Sequence, residues 1–224
     1  FSGDGGVAVS AQIGSLGGLT FDSGGNLLIT CMGAGRIRKV DVASATPIIT
    51  TIAGNGGSVI GDLGPATGAS MSAPTDIALD SSGNLFIYDS GNGRIRRVDA
   101  TTGFIDTIAG TGLRGFIGDR GPKQACVLAA PRGMVYDAVG NLYVADTDNN
   151  AVRKITPSGI VSTLVGSGAT NGLGDGGPSY LASLSSPRDV AISGNTLFIA
   201  DRNHSRVRAV DLLTNVITTY AAIN

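Results

Sequence analysis

The chain has no Trp, one His, two Cys and three Lys among its 16 basic residues. Each scarcity removes a class of function. A lone His204 with Cys31 and Cys126 cannot supply a multi-histidine metal site, so we expect no metal and no cofactor. The two cysteines occupy unrelated places in the sequence and read as buried free thiols rather than as a disulfide. The 16 basic and 17 acidic residues give a net charge of −1, which argues against a nucleic-acid partner. No apolar run reaches the roughly 18 residues of a bilayer-spanning helix, so no membrane insertion is expected. Residues Phe1 to Gly6 read as polar loop rather than as a signal peptide. No Gly-x-Ser-x-Gly elbow accompanies His204, so we expect no enzyme and no catalytic residue.

What is abundant is glycine, 35 residues, and apolar residues, 42% of the chain. A Gly-Asp pair recurs at Asp4, Asp62, Asp119 and Asp175, spaced 58, 57 and 56 residues apart. An Ala follows six or seven residues later (Ala11, Ala69, Ala125, Ala182), then a large apolar residue (Ile13, Met71, Leu128, Leu184). Each copy continues through four short strand-like runs, which gives approximate repeats 1–56, 57–112, 113–168 and 169–224 within one region, 1–224.

The second copy shows the pattern best. Residues 75–80 alternate polar and apolar, and a Ser-Ser-Gly-Asn turn follows. Residues 85–88 are wholly apolar, 94–98 alternate again, and 104–109 form a fourth run after a Thr-Thr-Gly turn. Tight turns between four short strands make an antiparallel meander. The wholly apolar second strands need cover on both faces, which stacking one sheet on the next provides. A long period of this kind predicts an all-β fold, a β-propeller with one four-stranded blade per copy.

The repeat resembles the NHL family along essentially the whole chain. The third copy carries that pattern in residues 131–137, Gly140 to Asp146, Asn149-Asn150 and Val152 to Lys154. The fourth carries it in Pro187, Asn195, Asp201, Asn203 and Arg206 to Arg208. The first departs, with Gly17 where the others have Pro and Cys31 where they have Asp89, Asp146 and Asp201. The resemblance implies a propeller and a binding role without naming a ligand, because fold does not fix function. Members are commonly six-bladed, so four copies leave three arrangements open: a longer ring, a closed four-bladed ring, or head-to-tail contact between copies as an oligomer or fibre.

Residues shared by every copy are explained first by blade geometry. Asp89, Asp146 and Asp201 should cap turns and pair with arginines that follow, and Asp4, Asp62, Asp119 and Asp175 should cap their own linker turns. One carboxylate per linker is too few for calcium. Arg36, Arg38, Arg94, Arg96 and Arg97 form a candidate surface patch, the basis of an RNA-binding alternative. Asn203-His204-Ser205 is an N-glycosylation sequon in a turn. The leading expectation is a non-enzymatic, extracellular or cell-surface scaffold for protein or glycan partners. A propeller hydrolase or lyase is the second alternative.

Overall fold

The computed structural model describes residues 1–166 and 172–222. The expected boundary between the third and fourth repeats, at 168/169, lies outside the described residues. Two compact units, Phe1–Ala109 and Gly110–Asn224, each hold two antiparallel sheets.

In the first unit, β1 (Leu16–Phe21), β2 (Leu27–Cys31), β3 (Arg36–Val40) and β4 (Ile49–Ala53) form blade 1 in sequence order. Blade 2 contains β5 (Gly64–Pro65), β6 (Pro74–Leu79), β7 (Leu85–Asp89), β8 (Arg94–Val98) and β9 (Phe104–Ala109), with β5 on the outer edge against β9. In the second unit, β10 (Met134–Tyr136), β11 (Leu142–Asp146), β12 (Ala151–Ile155) and β13 (Val161–Val165) form blade 3. Blade 4 is β14 (Pro187–Ser193), β15 (Thr196–Asp201), β16 (Arg206–Asp211) and β17 (Ile217–Ala222). The meander expected from the sequence is the one observed, with short 3-10 turns as its only helical pieces among the described residues.

The linkers also seal blade edges. In blade 2 the Leu63 amide donates to the Ile105 carbonyl at 2.8 Å, and Gly64–Pro65 adds a fifth short strand. The same hydrogen bond recurs from Gly5 to Ile49, Arg120 to Val161 and Gly176 to Ile217. An outer strand would otherwise present unpaired amides and carbonyls to solvent, and each repeat covers them with its own linker. The Gly of each Gly-Asp pair makes this packing fit. A Cβ on Gly61 would come within 2.9 Å of the Ala69 Cα, and one on Gly118 within 2.7 Å of the Cys126 Cα. Cys126, not Ala125, therefore holds the small-residue position in the third copy. Both cysteines are free and buried.

The cores lie between stacked sheets. In the first unit, Leu28, Ile37 and Ala53 of blade 1 pack with Met71, Ile77 and Ile87 of the second repeat. In the second, Tyr143, Val152 and Val165 pack with Leu184, Val190 and Ile199. Burial of these side chains against the neighbouring blade contributes roughly 1.5–3 kcal/mol each. Within each unit, the large apolar residue after the linker between its two blades is thus a knob set into the preceding blade: Met71 is 3% exposed and Leu184 is fully buried.

Candidate functional site

The repeated charged residues form one internal clamp per blade. The third strand begins Arg-apolar-Arg in three of the copies, and Ala-Val-Arg in the third. Its second Arg points inward because strand residues alternate faces and a bulge follows on the fourth strand. Arg38, Arg96, Arg153 and Arg208 are essentially fully buried. Each reaches the linker Asp of its own repeat: Arg38–Asp4 2.8 Å, Arg96–Asp62 2.6 Å, Arg153–Asp119 2.7 Å and Arg208–Asp175 2.7 Å. The linker carboxylates therefore pair with an arginine as well as shaping a turn. The sequence signal for this was a constant separation, 34 residues in three copies and 33 in the fourth.

On its other side the Arg faces the Asp that ends the second strand, at 3.5 Å for Asp89, 3.3 Å for Asp146 and 3.5 Å for Asp201. These three acids are wholly buried. Each accepts a linker backbone N–H, from Ser72, Ala129 or Ser185, at 2.7 Å. Each also bonds the side chain three residues on, Asn92, Asn149 or His204, at 2.8 Å. The only histidine thus occupies a position that asparagine fills in the two preceding blades. Burial raises Asp89 and pushes Asp146 up to about 6, while for Asp146 the Asn149 amide, the Ala129 N–H and Arg153 pull the other way.

Blade 1 differs. Cys31 takes the acid position and Ala34 the asparagine position, and both join an apolar cluster with Ile29, Val40 and Ile49. Strand register sets Leu16, not Gly17, opposite Cys31, where Pro74 and Pro187 stand opposite Asp89 and Asp201. Arg38 compensates by donating both Nε and Nη2 to Asp4, under the ring of Phe1. Phe116 lies over Arg153 in the same way.

The arginine patch separates into two kinds. Arg38 and Arg96 are inside the blades and offer nothing to a surface partner. Arg36 binds the Ala34 and Asn55 carbonyls, Arg94 binds the Asn92 carbonyl, and Arg97 lies 3.8 Å from Asp106. Asn203 is exposed in the turn Arg202–His204.

The second unit holds a groove of about 630 Å³, which the sequence did not single out. Its walls come from the Phe116 to Arg120 linker, the outer strand β13 at Ser162 to Leu164, and Ser179, Tyr180 and Asn215. Phe116 and Tyr180 are about half exposed. Exposed rings beside Asp119, Arg120, Ser162, Thr163 and Asn215 can hold the apolar faces of a polar ligand while bonding its hydroxyls or amides. Among the described residues, no group of three or more His, Cys, Asp or Glu is placed to hold a metal.

The four blades define a β-propeller. No family model matches the chain. Teneurin-1 of Gallus gallus is 28% identical over 233 residues, covering 93% of this chain and 8% of that protein. NHL repeat-containing protein 2 of Bos taurus is 27% identical over 173 residues, covering 68% of this chain and 22% of that protein. The chain thus spans a small part of the length of these relatives. Virginiamycin B lyase from Staphylococcus aureus superposes with a TM-score of 0.61 at 15% identity, over 96% of this chain and 57% of that one. An auxiliary nutrient binding protein from Bacteroides ovatus gives 0.65 at 18%, over 92% and 48%. At these identities the two structures share the fold alone. Its repeat marks and these relatives support an NHL-repeat β-propeller.

Proposed function

We infer that this propeller is a non-enzymatic binding scaffold, exported or displayed at a cell surface, that holds a glycan or a polar protein loop. The observation that carries the reading is the groove of the second unit, where Tyr180 and Phe116 stand open beside Arg120, Asp119 and Asn215. The repeated charged residues support it from the other side. The buried guanidinium groups and the strand-end carboxylates Asp89 and Asp146 are paired with each other inside the blades rather than turned toward a substrate, while the linker Asp119 keeps a partly exposed carboxylate at the groove. Teneurin-1 and the nutrient binding protein are consistent with an extracellular binding role. No helix among the described residues is long and apolar enough to cross a membrane. Exposed Asn203 would accept a glycan in an export pathway.

The test is calorimetric titration of the 224-residue chain with a panel of oligosaccharides and polar peptides. Tyr180→Ala should weaken binding at least about tenfold, the scale of one lost aromatic contact, with the fold unchanged by circular dichroism. Binding indifferent to Tyr180→Ala and Arg120→Ala would remove the groove from the account. Chemical conversion of the bound ligand would remove the non-enzymatic reading.

A further inference from the structure

The corner of the fold that forms the groove of the second unit also exists in the first unit, where blade geometry can be seen without a groove's special residues. In both, a phenylalanine lies over the buried clamp arginine, Phe1 over Arg38 and Phe116 over Arg153. Asp4 and Asp119 hold those guanidinium groups. The next residue donates its amide to the outer strand, Gly5 to Ile49 and Arg120 to Val161. The following linker is anchored on the turn before the last strand, Ala66 on the Gly103 carbonyl and Ser179 on the Asn215 carbonyl. Within this shared frame three side chains belong to the second unit alone. Arg120 stands where Gly5 stands, Tyr180 where Thr67 stands, and Asn215 where Gly103 stands. In the remaining copies the Arg120 position holds Leu63 and Gly176.

None of the three holds the blade together. All are exposed, and among the described residues their side chains make no hydrogen bond or ion pair. The charged side chains lining the groove are Asp119 and Arg120. Asp119 is compensated from behind by the buried Arg153 at 2.7 Å, so the charge left unmatched is the Arg120 guanidinium. One carboxylate oxygen is left over as well. Arg153 takes Oδ1 of Asp119. In the fourth repeat Thr219 bonds the second oxygen of Asp175 at 2.7 Å, but Thr163, its counterpart in the third, makes no such bond. The groove therefore presents an unpaired cation, a free acceptor, an amide and two rings, at positions where the fold itself asks for little.

We propose that the groove takes an acidic saccharide, a hexuronate unit whose carboxylate pairs with Arg120 while its ring lies against Tyr180 and Phe116. The proposal rests on the binding role inferred for the groove and narrows it to one ligand class. A guanidinium fork matches a carboxylate with two parallel hydrogen bonds. The apolar C–H face of a sugar packs on an aromatic side chain, and its hydroxyls find an acceptor in Asp119 Oδ2 and further partners in Asn215 and Ser162. A neutral sugar would leave Arg120 without a partner, and an ammonium-bearing ligand would meet it as a like charge. An acidic peptide shares the carboxylate but carries it on a flexible stem, which makes no use of the two exposed rings.

The probes are tetragalacturonate, tetramannuronate and a hyaluronan hexasaccharide, each beside its carboxyl-reduced neutral form, titrated calorimetrically into the 224-residue chain. At least one acid form should bind about tenfold more tightly than its reduced form, the scale of one hydrogen-bonded charge. Added salt should narrow that gap. Arg120→Gln should erase it with the melting temperature unchanged, since the side chain has no bond within the described residues to lose. Arg202→Gln, which removes an exposed charge elsewhere in the unit, should leave the gap intact. Acid and reduced forms that bind alike, with binding still lost in Tyr180→Ala, would overturn the acidic class and leave the groove as a binding site. A groove that takes hexaglutamate through Arg120 and none of the saccharides would overturn it in favour of a peptide. A chain that binds none of these probes overturns the proposal, and one that also binds no neutral oligosaccharide or polar peptide removes the groove reading with it.

Discussion

Blades 1 and 3 solve the same burial problem with different chemistry. In both, an arginine with almost no exposure lies under a phenylalanine and pairs with a linker aspartate, at 2.8 Å for Arg38–Asp4 and 2.7 Å for Arg153–Asp119. In blade 3 the arginine has a second, fully buried carboxylate in Asp146, itself held by Asn149 and the Ala129 N–H. In blade 1 the acid and its amide partner have left together, replaced by Cys31 and Ala34 in an apolar cluster. A buried ion pair can be exchanged for apolar packing at little cost, but half of one cannot be kept. The outer pair, which pins the linker to the blade, is the constant part of the design. The inner network is optional as a set.

The largest expected effect follows from that asymmetry. Arg153→Leu leaves Asp146 buried without its cation and should cost about 3–5 kcal/mol. Arg38→Leu strands only the partly exposed Asp4 and should cost about 1–2 kcal/mol. Urea unfolding of both variants checks the order, and equal losses would break the comparison.

Titration sharpens it. The folded Asp146 carboxyl is raised to about 6 by burial, above its ordinary value. A raised acid binds more protons in the folded than in the unfolded state between these values. Its contribution therefore favours folding at the lower pH and is lost as pH rises from about 4 to 6, by an amount on the order of 2–3 kcal/mol. Asp4, Asp22 and Asp137 are shifted down, despite burial that opposes it, by hydrogen bonds to Arg38 and Thr51, to Asn26, and to Asn141 and Tyr143 respectively. Their contribution has the opposite sign and disappears only as pH falls below the usual carboxylate range. Carbon-detected NMR of the Asp146 carboxyl, with unfolding melts at both ends of the window, measures the effect. An Asp146 that titrates with Asp137 would contradict it.

A smaller effect tests the joint replacement. From the sequence, Cys31→Asp should be neutral or mildly stabilising. The surroundings reverse that expectation, since Cys31 is fully buried beside Ile29, Val40 and Ile49 and Ala34 offers no amide. Cys31→Asp alone should cost about 1–2 kcal/mol even with Arg38 nearby. Adding Ala34→Asn should recover most of it. Thermal melts of the single and double variants decide between the two signs.

The four strands of each repeat were readable because their evidence is local: alternating runs, Gly-Asn turns and a fixed period. Which residues meet across the blade was not. The Asp4–Arg38 pair spans 34 residues, and its closure depends on the linker turning back along β4, which no local pattern specifies. The same gap set Ala125 in place of Cys126, and Gly17 in place of Leu16, each one residue from the position that packing and register select. It also counted Arg38 and Arg96 as surface residues, because alternation tells that a side chain faces one side of a strand but not what covers that side. The groove at Phe116 and Tyr180 joins segments more than 40 residues apart and left no mark in the sequence.

The most direct measurement is a pair of double-mutant cycles on the clamp. One joins Asp146→Ala with Arg153→Leu, and the other joins Cys31→Ala with Arg38→Leu. The account predicts a coupling of about 1.5–3 kcal/mol in blade 3, the range of contacting residues in one buried network, and a value near zero in blade 1. Equal coupling in the two blades would contradict it.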